Sequence, residues 1–86
     1  MIIRKNIAPG TGTACAFIDE ARDDEHVEEL TLADDVQAFV ADGRLIGVEV
    51  GDTTRWGDEW SAEWTDDAAM RAISWARTQL TSDFAG

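Results

Sequence analysis

The chain has 86 residues, 44% of them hydrophobic, and carries eighteen Asp and Glu against seven Lys and Arg, for a formal net charge of -11 at pH 7. That length supports one hydrophobic core and no second domain, and the apolar content argues against wholesale disorder. The charge excludes direct binding to DNA, RNA or anionic lipid, whose phosphates would repel it.

In chain order, residues 1–5 read as a first strand, with Ile2, Ile3 and then Ile7 as its apolar content. Ala8-Pro9-Gly10-Thr11-Gly12 breaks it, because proline lacks an amide hydrogen and glycine tolerates turn geometry. Thr13 to Asp19 reads as a second strand whose two sides are both largely apolar, so it is expected to be central and covered on both faces. A charged connection, Glu20 to Glu25, leads to a third strand over His26 to Leu32. Asp42-Gly43 then separates Val36–Ala41 from Arg44–Val50. An Asp-Gly pair between two β-prone runs predicts a hairpin with a type I′ turn, whose central residues both need positive φ. In the second arm, Arg44, Ile46, Val48 and Val50 are expected to share the core face.

Residues 51–64 form a tryptophan-rich connection, with Trp56, Trp60 and Trp64 four residues apart. It reads as loop and then a short strand or helical lead-in over 59–64. Thr65 is placed to cap a helix over Asp66 to Leu80, with Asp66 and Asp67 at the positive end of the helix dipole. Ala69, Ile73, Ala76 and Leu80 form its apolar stripe, with Met70, Ala72 and Trp75 at the margins. Residues 81–86 are expected to fray. The expected class is α+β: an antiparallel β-meander of about five strands packed against one C-terminal helix.

Nine of the eighteen acids fall between Asp19 and Asp35. They serve either as a solvated loop and charged edge strand or as a docking surface for a basic protein. Strand residues two apart lie about 6.6 Å apart on one face, close to phosphate spacing, so such a face suits a basic groove made for nucleic acid. The candidate partner-binding residues are Asp23, Asp24, Glu25, Glu28 and Glu29 for electrostatics, with Trp56 or Trp60 as a hydrophobic anchor.

No acidic run matches the EF-hand spacing, and no metal site or cofactor is expected. Cys15, the single cysteine, lies between alanines and reads as an inert core thiol in a reducing cytoplasm. His26 sits among Glu25, Glu28 and Glu29 and reads as a solvated histidine. Gly10-Thr11-Gly12-Thr13 lacks the Lys of a phosphate loop. No carboxylate pair is placed in a cleft, so no enzyme is expected.

Residues 14–53 resemble the bacterial domain of unknown function 2283 family. The resemblance is carried by Ala14-Cys15-Ala16-Phe17-Ile18, Val27-Glu28-Glu29, Val36, and Asp42-Gly43-Arg44-Leu45-Ile46-Gly47-Val48-Glu49-Val50. It implies a short β-meander without catalytic residues and an antitoxin-like partner role. Ala8-Pro9-Gly10, the Trp-rich segment and the long final helix depart from that pattern. In size and charge the chain also looks like small phage-encoded inhibitors of the anti-CRISPR and DNA-mimic type. The expectation is a non-enzymatic acidic inhibitor that docks on a basic, nucleic-acid-handling surface. The alternatives are a homodimeric structural module joined through the tryptophans and an uncovered sheet face, and a small enzyme using carboxylates or Cys15.

Overall fold

The computed structural model describes residues 2–7, 13–57 and 63–81 in full and 82–85 as backbone. Five strands form one antiparallel sheet: β1 (Arg4–Ile7), β2 (Ala14–Phe17), β3 (Val27–Ala33), β4 (Val36–Ala41) and β5 (Arg44–Val50). A short 3₁₀ turn (Thr53–Arg55) and the helix α1 (Asp66–Ala85) follow. The architecture is the expected α+β one, a sheet with one C-terminal helix.

The spatial order is β1-β2-β5-β4-β3. β1 and β2 pair with each other, and β3, β4 and β5 form a meander whose last strand returns beside β2. This is a Greek-key connection, and it carries residues 18–26 past the ends of β5 and β4 to the far edge. β3 is therefore an edge strand, and its charges fit the protection such edges need. The β4–β5 turn is as expected: Asp42 and Gly43 have φ of 51° and 83°.

One face of the sheet is packed by α1, which lies over β5 and β2. The register aligns Ala14, Val50 and Val36, and then Ala16, Val48 and Ala38, all fully buried or nearly so. Ala68, Ala69, Ala72, Ile73 and Ala76 meet them from the helix. Alanine on both sides of the seam lets the helix approach closely, and the larger valines and Ile73 fill what remains. Trp64 closes one end of the seam and donates its Nε1 hydrogen to the Cys15 carbonyl at 3.0 Å. Trp56 lies in the same core and tilts against Trp75, with centroids 5.5 Å apart. The Arg55 guanidinium sits 4.9 Å from both rings and donates to Asp35 at 2.7 Å.

Three expectations need correction. β2 is central but covered on one face only: Ala14 and Ala16 are buried, whereas Cys15 and Phe17 are half-buried on the side away from the helix. Ile46 does not face the helix with Val48 and Val50. The β4–β5 register passes from Phe39–Gly47 to Val40–Leu45, leaving Ile46 as the extra residue of a bulge. Leu45 is thereby turned toward the helix side and Ile46 toward the open side, beside Phe17 and Phe39. The helix runs past Leu80 to Ala85, with Thr78 and Thr81 bonding back to the Ser74 and Arg77 carbonyls. No Gly or Pro interrupts it. The lead-in expected over 59–64 lies largely outside the described residues.

The helix start is as expected. Ala68 N donates to Thr65 Oγ1 at 3.1 Å, and Lys5 on β1 reaches Asp66 at 2.8 Å. Among the described residues, no helix is long and apolar enough to cross a membrane.

Candidate functional site: an acid-rimmed groove

Because α1 lies over β2 and β5, the helix side of β3 and the end of the β4–β5 hairpin are left uncovered. A groove of about 820 Å³ opens there. Its floor is Leu30, Val40 and Leu45, and Leu80 closes it from the helix. Leu45 reaches the floor only because of the bulge at Ile46. The rim carries Asp24, Glu25, Glu28 and Asp42, with Arg44 and Arg77 as its cationic groups.

Arg44 anchors the rim. Its Nε donates to Asp19 Oδ2 at 2.9 Å, one terminal nitrogen to Glu25 Oε1 at 2.9 Å, and the same nitrogen to the Glu20 carbonyl at 2.9 Å. The second terminal nitrogen bonds Glu25 Oε2, completing a bidentate pair. Glu25 also accepts from the Arg22 amide at 2.8 Å, and its side chain is only 8% exposed. The Arg44 hydrogen bonds, helped by the Arg22 amide, hold the Glu25 carboxyl down at about 2. Asp19 is lowered in the same way, first by Arg44 and then by the Glu20 amide. Arg44 is pushed further up by both carboxylates. The guanidinium therefore pins the β2–β3 connection to the sheet, and its charge is answered locally. Asp24, Glu28 and Asp42 carry no ion pair among the described residues and leave the groove acidic.

The expected partner-binding residues do not share one surface. Asp24, Glu25 and Glu28 line the groove, and Glu25 is committed to Arg44 there. Asp23 is exposed on the turn before it and outside the lining. Glu29 pairs in register with Phe39 and so lies on the opposite face of the sheet. A phosphate-like ladder along β3 is not present, since Glu28 and Glu29 alternate faces and are followed at i+2 by Leu30 and Thr31. Trp56 is buried at 9% exposure, with its backbone carbonyl accepting from Arg71, so it offers no exposed ring as an anchor. Trp60 lies outside the described residues. Leu30, Val40, Leu45, Asp42 and Arg77 were not among the candidates. Nothing local in the sequence marked them; Leu30 stands out only in the fold, where it stays 36% exposed on an edge strand.

Cys15 and His26 are not brought together. Cys15 sits on the open side of β2 and His26 lines the groove on the helix side. Burial, and then the Glu49 carboxylate, push the Cys15 thiol up, against a smaller effect of Arg4. That is the opposite of what a nucleophile needs. Among the described residues no group of three or more His, Cys, Asp or Glu is placed to hold a metal. No protein-family model, curated protein or solved structure matches the chain.

Proposed function

We propose that the chain is a non-catalytic binding protein whose acid-rimmed groove takes a basic, amphipathic segment on the nucleic-acid-handling surface of a partner protein. The observation that carries this reading is the combination in one groove: an apolar floor of Leu30, Val40, Leu45 and Leu80 beneath Asp24, Glu28 and Asp42. An apolar floor supplies affinity through buried area, and the acids select against the wrong partners and steer the right one. A segment with Lys or Arg flanking two or three large apolar residues satisfies both. The net charge of -11 extends the steering beyond the groove. Inhibition follows when the covered segment is one the partner needs for its own phosphate ligand, as in the inhibitor and antitoxin types the sequence resembles.

The test is the triple variant Asp24→Lys, Glu28→Lys and Asp42→Asn, which removes the three unpaired acids, keeps a residue that tolerates positive φ in the β4–β5 turn and replaces no partner of Arg44. Capture of a nucleic-acid-binding partner should be lost, with a weaker salt dependence of whatever binding remains. Unchanged capture and unchanged salt dependence would sink the reading.

A further inference from the structure

The face of the sheet away from the helix holds a second, independent arrangement. Arg4, Phe17, Gly47, Phe39 and Glu29 occupy directly opposed positions on β1, β2, β5, β4 and β3, so they form one row across all five strands. The contacts agree with the register. Arg4 lies over the Phe17 ring at 4.4 Å, and the Phe17 and Phe39 rings stack at 5.3 Å with planes 21° apart, above Gly47. Read across the sheet, the row is cation, aromatic, glycine, aromatic, anion. Arg4 and Glu29 are exposed at its ends, and the two phenylalanines are half-buried.

Such a row is complementary to itself when reversed. We propose that a second copy of this chain docks on this face, about a two-fold axis parallel to the strands and passing above Gly47, so that Arg4 of each protomer meets Glu29 of the partner subunit. The same operation places Phe17 over Phe39 of the partner subunit, and the two Gly47 backbones at the axis make room for the rings. The ends of the row lie about 19 Å apart, four strand spacings of about 4.8 Å. Face-packed sheets cross at about 30°, and the long Arg4 side chain spans the offset this creates at the edges. Any axis perpendicular to the strands would bring Arg4 onto Arg4 and Glu29 onto Glu29, so the charges select one orientation.

The next row sets the strength. Asn6, Cys15, Glu49, Gln37 and Thr31 are also in register, and the axis brings the two Glu49 carboxylates toward each other. With a net charge of -11 per chain, the dimer is weak and is favoured at physiological ionic strength, where the Debye length of about 8 Å screens the long-range repulsion. This interface is separate from the acid-rimmed groove, and its test does not depend on that reading.

The experiment is sedimentation equilibrium from micromolar to millimolar protein on the wild-type chain, Arg4→Glu, Glu29→Arg, and an equimolar mixture of the two variants. The wild type is expected to dimerise reversibly. Each variant alone places like charges together and should weaken the dimer by about tenfold or more. The mixture restores both pairs in a heterodimer and should return to within about threefold of the wild type, which also shows that both variants are folded. Glu49→Gln should tighten the dimer. A wild type that stays monomeric at millimolar concentration would overturn the proposal. So would variants that dimerise as well as the wild type, or a mixture that fails to recover.

Discussion

Arg44 and Glu25, nineteen positions apart, form a bidentate pair that fixes the β2–β3 connection against the β4–β5 turn. The Glu25 side chain is largely removed from water, and in the folded chain its carboxyl titrates near 2 rather than 4.5. A carboxyl depressed on folding binds its proton more readily when unfolded. Its contribution to stability is therefore complete above about pH 4.5 and is lost as the pH falls toward 2. Arg44→Met should lower stability at neutral pH, because it strands Glu25. The gap between variant and wild type should close between those two values. Urea unfolding at a series of pH values reads this directly, and a gap independent of pH would contradict the clamp.

Gly47 is required by what lies above it. A Cβ there would fall 2.7 Å from the Ala16 carbonyl oxygen and against the edge of the Phe17 ring. Gly47→Ala should cost about 1–3 kcal/mol, the usual range for overpacking. Phe17→Leu in that background should recover only part of the loss, because the Ala16 carbonyl remains. Chemical denaturation of the two single variants and the double variant tests this, and simple additivity would contradict the close approach.

Trp56 and Trp64 should respond differently to the same change. Trp64 donates to the Cys15 carbonyl, whereas Trp56 Nε1 is buried with no hydrogen-bond partner among the described residues. A net hydrogen bond is worth about 0.5–1.5 kcal/mol, and a stranded buried donor costs about 1–3 kcal/mol. Trp64→Phe should therefore destabilise by about 1 kcal/mol beyond the loss of ring volume. Trp56→Phe should be close to neutral, since it removes an unsatisfied donor along with the volume. Equal losses in thermal or denaturant melts would contradict the assignment.

Much of this architecture is legible residue by residue. The Asp42-Gly43 turn follows from the need for positive φ at two consecutive positions, and the Thr65 cap from a hydroxyl ahead of the helical stripe. The strand order was not legible, because residues 18–26 carry a connection that passes two strands to the far edge, and its local sequence does not mark which strand it will reach. The bulge at Ile46 was hidden for a related reason: period-two alternation places Ile46 with Val48, and only pairing with Val40 reveals the extra residue. That one displacement puts Leu45 in the groove, so the floor of the site could not be read without the fold. The acids near it were visible as a run, but alternation along β3 sends Glu28 and Glu29 to different faces. The polar, glycine-containing stretch around Trp56 suggested an exposed anchor, whereas Trp56 is buried in the core against Trp75.

Binding of a basic amphipathic segment in the groove decides the proposed function. Its most direct test is an NMR titration of the isotope-labelled chain with a short peptide of alternating Lys and Leu. Saturable shifts are expected at Leu30, Val40, Leu45 and Leu80, with an affinity that falls as salt rises and a loss of at least about tenfold in the Asp24→Lys, Glu28→Lys, Asp42→Asn variant. Shifts confined to the open face around Phe17 and Phe39, or binding indifferent to those three substitutions, would contradict binding in the groove.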